Sequence, residues 1–105
     1  MKNKIYIIKT TFSSLKDANA LQDILLEKNL ASCVQSSQIK SAYIWENKIC
    51  KEDEIQLSIK TNKKNVKKIE SIIANTHSYE IPQILIQKSK ASKSYFKWHK
   101  KELKN

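Results

Sequence analysis

Apolar residues recur along the chain with two different periods, and the order of these periods predicts the fold. Residues 4–12 form a β-branched and aromatic run with two apolar faces, which is typical of a central strand. After Ser14, a residue that favours helix N-termini, Leu15, Ala18 and Leu25 recur at helical spacing. The chain is therefore predicted to open with a strand and an amphipathic helix.

A long hairpin is predicted after this helix, which is expected to end at Asn29 in a left-handed conformation. Residues 30–46 suit a long strand, with a bulge or bend expected at the polar residues 36–38. Residues 47–48 are the predicted two-residue turn, and residues 49–61 form the returning strand.

The rest of the chain completes a recognisable arrangement of elements. Asn62 is predicted to begin a second helix, a strand covers residues 84–87, and Ser92 begins a terminal helix. The order β-α-β-β-α-β is that of an α+β, ferredoxin-like sandwich, with a four-stranded antiparallel sheet and two helices on one face. Residues 1–105 are predicted to form this single domain and its C-terminal helix.

The predicted hairpin is too long for a sheet in a chain of 105 residues. Tyr43, Ile44 and Trp45 near its end would leave an apolar patch exposed on a monomer. We therefore expect a closed homo-oligomer in which Tyr43 and Trp45 anchor the interface. The alternative for these two aromatic residues is a platform on which a base could stack.

The net charge of +10 suggests a polyanionic partner, but the kind and placement of the charges argue against one. All twenty basic residues are lysine, whereas bidentate recognition of phosphate and guanine favours arginine. The lysines are also dispersed along the sequence. We expect neither a nucleic-acid partner nor, in the absence of a long apolar run, a membrane partner.

Composition also limits the chemistry of the chain. There is no glycine, which excludes a glycine-rich phosphate loop. Cys33 and Cys50 form no CxxC pair and are expected to be reduced thiols, with Cys33 a small buried hydrophobe. No charged and apolar leader opens the sequence, so the predicted location is cytoplasmic.

Candidate chemistry is concentrated where the second helix leads into the last strand. His77, Tyr79 and Glu80 precede Pro82, which cannot donate a hydrogen bond to a sheet. His77 is either a half-buried imidazole that holds this turn or a metal ligand. Tyr79 and Glu80 are candidates for a ligand-binding cleft between subunits, together with Lys60. A third possibility is an acid-base pair formed by His77 and Glu80.

Several motifs, in order along nearly the whole chain, resemble those of the CutA family of divalent-cation tolerance proteins. They are Thr10-Thr11-Phe12, Leu30-Ala31-Ser32-Cys33-Val34, Tyr43-Ile44-Trp45-Glu46-Asn47-Lys48-Ile49, Glu52-Asp53-Glu54, Ile59-Lys60-Thr61, His77-Ser78-Tyr79-Glu80-Ile81-Pro82 and Tyr95-Phe96-Lys97-Trp98. The resemblance implies a cytosolic, ferredoxin-like trimer without an established enzymatic reaction. It also implies divalent metal ions, above all copper, as ligands.

Only part of the metal site proposed for some family members is present in this chain. Some family members carry Cys at the position of Thr10 and His at that of Thr76, which leaves His77 as the one matching ligand. A single imidazole implies weak binding of Cu²⁺ or another divalent cation, because such metals favour several nitrogen or sulfur ligands. The leading hypothesis is a non-enzymatic trimer for metal tolerance. The alternative is a trimeric signalling module that binds a small anion in clefts between subunits.

Overall fold

The structure is a computed structural model that describes residues 2–103. Seven elements follow one another in the predicted order of strands and helices. They are β1 (Lys4–Phe12), α1 (Leu15–Glu27), β2 (Cys33–Trp45), β3 (Lys48–Thr61), α2 (Lys63–Thr76), β4 (Leu85–Lys90) and α3 (Lys93–Leu103).

The four strands form one antiparallel sheet in the order β2-β3-β1-β4. The predicted central position of β1 is confirmed, since Ile8 pairs with Ile59 of β3 on one side and with Ile86 of β4 on the other. This order and the two crossover helices are those of the ferredoxin-like α+β fold. Strands β2 and β4 are therefore the edges of the sheet.

The main core lies between the sheet and helices α1 and α2. Side chains alternate across the sheet, so Ile8, Leu57 and Ile59 point to one face, where they meet Leu25 and Ile69. All five side chains are fully buried. Burial of each contributes about 1.5–3 kcal/mol relative to exposure to water, which makes this layer the principal source of stability.

Helix α1 has the predicted ends. The Ser14 hydroxyl accepts a hydrogen bond from the Asp17 N–H at 3.2 Å and caps the first turn. At the other end Asn29 is left-handed, with φ 55°, and the Leu30 N–H donates to the Leu25 carbonyl at 2.9 Å. This six-to-one bond is characteristic of a Schellman motif, so Asn29 takes the place that glycine usually occupies.

The β2–β3 hairpin is more regular than predicted. Pairing runs without interruption from Cys33 opposite Lys60 to Trp45 opposite Lys48, so the bulge expected at residues 36–38 is wrong. Those polar side chains are exposed, and their polarity therefore reflects hydration of an edge strand, with no need for an extra residue. The strand also begins three positions later than the predicted residue 30.

The hairpin turn lies one residue earlier than predicted. Glu46 and Asn47 are its two central residues, with φ 49° and 64°, because Trp45 and Lys48 already pair. Two left-handed central residues define a type I′ turn, whose twist matches that of the flanking strands. The prediction of residues 47–48 placed asparagine in the first central position, whereas it occupies the second.

Helix α3 packs on the face of the sheet opposite α1 and α2. Lys60 projects to that face, and its ammonium donates to the Tyr95 hydroxyl of α3 at 3.2 Å. Helices α1 and α2 leave this face free, and α3 covers one end of it through Tyr95. Two smaller expectations also change: β4 continues to Lys90, beyond the predicted residue 87, and Cys33 is half-buried.

The turn geometry gives a first testable prediction. Asn47→Ala places a Cβ-bearing residue without a local hydrogen-bonding side chain in the left-handed region, which costs about 1 kcal/mol. Asn47→Gly is the matched control, and its free energy of unfolding should stay within a few tenths of a kcal/mol of the wild type. Urea unfolding at one fixed protein concentration measures both, and equal stability of the two variants would contradict the assigned turn.

Candidate functional site

A cleft of about 840 Å³ separates the outer half of the hairpin from the segment that joins α2 to β4. It lies on the same face as Lys60 but at the opposite end of β3, so α3 does not fill it. Apart from Lys40, the ionisable and aromatic side chains that line the cleft are carboxylates, aromatic rings and one thiol. They are Tyr43, Trp45, Cys50, Glu52, Glu54, Tyr79 and Glu80.

The joining segment begins where α2 ends. His77 is extended, with φ −74° and ψ 141°, and its N–H donates the last helical bond to the Ile73 carbonyl at 2.9 Å. Pro82 follows in a stretch without strand pairing and has no N–H to donate. The segment therefore stays outside the sheet and passes the end of β1 at Thr11, where it forms one wall of the cleft.

His77 is held by one stacking contact and by hydrogen bonds at both ring nitrogens. Its ring stacks on Phe12 with centroids 4.3 Å apart, and its Nδ1 accepts a hydrogen bond from the Tyr79 N–H at 3.0 Å. Since Nδ1 accepts, Nε2 carries the proton and donates to the Thr11 carbonyl at 2.6 Å. This arrangement matches the structural alternative for His77, a half-buried imidazole that holds the turn.

The same bonds bear on the predicted metal role of His77. Nδ1 carries the ring's only lone pair in this tautomer, and that lone pair accepts from Tyr79. A metal ion would have to displace this bond or the bond to Thr11. Within residues 2–103, moreover, no three His, Cys, Asp or Glu side chains converge closely enough to hold a metal ion.

Tyr79 and Glu54 form the principal polar contact in the cleft. The Tyr79 hydroxyl donates to Glu54 Oε2 at 2.7 Å, and Glu54 is only 7% exposed. Burial, followed by the bond to Glu54, raises the pKa of the Tyr79 phenol well above its ordinary value of 10. The pair secures the segment to β3, because a buried carboxylate requires a donor.

A second phenol and carboxylate lie further out along the hairpin. The nearby Glu52 carboxylate raises the pKa of the exposed Tyr43 phenol to about 12. Tyr43 and Trp45 are 38% and 39% exposed, and both line the cleft. The two residues predicted to anchor an oligomer thus lie beside the carboxylates, at the mouth of the cleft.

The remaining predicted site residues do not all come together in one chain. Glu80 is exposed and lines the cleft with Tyr79. Lys60 lies six positions from Glu54 along β3, which corresponds to about 20 Å, and contacts Tyr95 instead. His77 has both ring nitrogens occupied, so its geometry does not favour the acid-base pair with Glu80.

The lysines that produce the high net charge are mainly solvated. Those of α2 cover its outer side and are exposed: Lys63, Lys64, Lys67 and Lys68. Among the described residues, the one ion pair joins Lys40 to Asp53 at 3.4 Å, with both side chains more than four-fifths exposed. Such an exposed pair contributes little to the stability of the fold.

Fold and cleft together define a class of protein: a small ferredoxin-like sandwich with a C-terminal helix and an acidic, aromatic cleft beside its hairpin. The family model of the CutA1 divalent ion tolerance protein matches residues 6–102. The chain therefore belongs to the CutA1 family. The divalent-cation tolerance protein CutA of Archaeoglobus fulgidus is 35% identical over 99 residues, covering 93% of this chain and 94% of its own.

Solved structures agree with this assignment. The structure of the periplasmic divalent cation tolerance protein CutA from Archaeoglobus fulgidus has a TM-score of 0.90 at 30% identity, with 94% of this chain and 98% of that chain covered. The structure of CutA from Synechococcus elongatus has a TM-score of 0.90 at 29% identity, with 97% and 92% covered. The CutA fold is thereby confirmed.

The family is described by cation tolerance and by no catalytic activity. One relative is described as periplasmic, so the cytoplasmic location of this chain stays a prediction. No helix within residues 2–103 has the length and apolar character needed to cross a bilayer.

The Tyr79–Glu54 contact yields a second prediction. Tyr79→Phe removes the donor and leaves the buried Glu54 carboxylate without its bond, which should cost about 1–3 kcal/mol. Tyr43→Phe is the matched control, because its neighbour Glu52 is exposed, and should cost less than about 0.5 kcal/mol. Equal losses in urea unfolding would contradict a special role for Tyr79.

The pKa of Tyr79 adds a dependence on pH. Its folded-state pKa is raised above the unfolded value of 10, so the stability from the neutral phenol is complete below pH 10. This stabilisation is lost as the pH rises above 10, because Tyr79 loses its proton at a lower pH in the unfolded chain than in the folded one. Wild-type stability should therefore fall more steeply above pH 10 than that of Tyr79→Phe.

Proposed function

We propose that this chain acts as a non-enzymatic homotrimer that contributes to divalent-cation tolerance by binding a divalent ion, such as Cu²⁺, weakly in the hairpin cleft. Its membership of a tolerance family supports the role in metal response. The chemistry of the cleft supports a cation as the ligand. No cofactor other than this ion is part of the proposal.

The observation that carries the proposal is the set of carboxylates in one cleft. Glu52, Glu54 and Glu80 line it together with the Cys50 thiol, against a single cationic side chain, Lys40. Carboxylate oxygens and a thiol are ligands for divalent ions of different softness. The affinity is expected to be low, because these groups do not converge within one chain.

The exposed apolar end of the hairpin supports assembly. Ile44 and Ile49 are 76% and 75% exposed, and Tyr43 and Trp45 lie beside them. An apolar patch of this kind at the end of an extended hairpin favours burial against another copy. In a closed trimer, each cleft would lie next to a neighbouring subunit, which could supply further ligands.

The alternative of a signalling module for a small anion has less support from the geometry. The cleft is acidic, and Lys60, the cation assigned to the anion, lies about 20 Å along the strand from Glu54. Lys60 could contact an anion in the cleft only if the cleft belonged to a neighbouring subunit. A thermal-shift screen of nucleotides and organic acids separates the two hypotheses, since an anion that stabilises the wild type but not Lys60→Gln would favour this alternative.

Sedimentation velocity at low micromolar concentration tests the assembly. The wild type should sediment as a trimer, and Trp45→Glu should sediment mainly as a monomer, because the substitution places a charge in the apolar interface. Leu26→Glu, on the outer side of α1, is the control and should remain trimeric. A monomeric wild type, or a fully trimeric Trp45→Glu, would contradict the assigned interface.

Calorimetry with Cu²⁺ and Zn²⁺ tests the proposed ligands. Glu52→Gln combined with Glu80→Gln should weaken binding at least ten-fold, whereas Asp23→Asn, which removes an exposed carboxylate on α1, should leave it unchanged. His77→Gln should also retain binding. Absence of heat with the wild type would overturn the metal proposal, and loss of binding in His77→Gln would move the site to that imidazole.

A further inference from the structure

His99 is a deeply buried ionisable group in α3 that lies outside the cleft and has no part in the proposed function. The side chain is 1% exposed, and its Nδ1 lies 2.5 Å from the Ser32 hydroxyl, just before β2. Its Nε2 is buried, and within residues 2–103 no acceptor meets it in hydrogen-bonding geometry. The ring is therefore buried with one nitrogen bonded to Ser32 and the other without a well-aligned partner.

The surroundings oppose a positive charge on this ring. Burial lowers the pKa of His99, the Thr61 carbonyl offsets part of this effect, and the Lys60 ammonium of β3 lowers it further. Cys33 lies at the start of β2 on the face of Lys60, and Tyr95 is one turn away on α3.

Within residues 2–103, no carboxylate compensates for these effects. Glu102 lies one turn beyond His99 on α3 itself, and its backbone carbonyl accepts from Asn29 Nδ2 at 3.3 Å. In the part of the chain that the structure describes, no carboxylate forms an ion pair with His99. A proton on the ring would therefore have no anionic partner from β2, β3 or α3.

Besides His99, two side-chain hydrogen bonds near its ends hold the described part of helix α3. Asn29 holds its last turn through the Glu102 carbonyl, and Lys60 contacts Tyr95. Leu103 is buried but does not belong to the core beneath α1 and α2. An element attached mainly through side-chain bonds at its ends can open locally while the main core stays folded.

We propose that His99 is a pH-sensitive latch for α3, which keeps the helix docked at neutral pH and releases it in mild acid. Proton uptake from solvent would place an imidazolium in a dry site beside Lys60, whereas in the undocked form the ring is hydrated. Release uncovers Leu103 and Ile5, a buried residue of β1 on the face that α3 shares with Lys60. Mild acid thus exposes an apolar strip remote from the cleft.

The expected size of the effect follows from proton linkage. The hydrated ring has a pKa of about 6.5, and the docked ring has a lower one. Above about pH 6.5 the ratio of docked to undocked α3 is constant. Between the two pKa values it falls about ten-fold per pH unit, because the undocked form binds one more proton.

Amide hydrogen exchange on the full-length protein, read by mass spectrometry over pH 5–8, tests the latch. After correction for intrinsic exchange rates, protection of α3 should fall about ten-fold per unit below pH 6.5, while that of β1 stays constant. His99→Leu, which fills the site without a titrating group, should show no such fall. His77→Gln is the control for the other histidine, and its α3 protection should depend on pH as in the wild type.

Constant protection of α3 in the wild type down to pH 5 would overturn the proposal, as would an unchanged pH dependence in His99→Leu. Should His99→Leu fail to fold, NMR titration of the wild type still decides. The His99 ring must then titrate below 6.5, and the α3 amides must shift with the same midpoint. A ring that titrates at or above 6.5 contradicts the latch.

Discussion

The uninterrupted pairing of β2 with β3 is the constraint on which most of this molecule depends. Because side chains alternate strictly along a strand, one register fixes which residues face the helices and which face the cleft. Leu57 and Ile59 are thereby assigned to the core, and Glu52, Glu54 and Lys60 to the opposite face. A one-residue slip would bury the charged set and expose the apolar set, so core and cleft are specified together.

The fold could largely be predicted from the sequence, since its strongest signals are local. The apolar run of residues 4–12 and the helical spacing after Ser14 and Asn62 correspond to β1, α1 and α2. The errors concern exposed backbone with weak local signals. Polar residues at 36–38 suit both a bulge and a hydrated edge strand, and only the pairing with β3 decides between them.

The site was less predictable, because its contacts join residues far apart in the chain. His77 stood out as a histidine beside a tyrosine and a proline, yet its bonds to Thr11 and Tyr79 depend on where the segment crosses β1. The partner of Tyr79 is Glu54, which in sequence looks like one polar member of an alternating strand. Its burial and its bond depend on the position of a loop that follows α2, which only the tertiary fold determines.

The left-handed asparagines have a consequence for the unfolded chain. Asn29 and Asn47, like Asn3 near the start of the chain, occupy backbone conformations that glycine usually adopts, and the sequence contains no glycine at all. Asparagine is more restricted than glycine in a disordered chain, so less conformational entropy is lost when these turns form. The small strain of each left-handed residue is thus balanced by a denatured ensemble with fewer conformations, an effect that no contact in the folded structure displays.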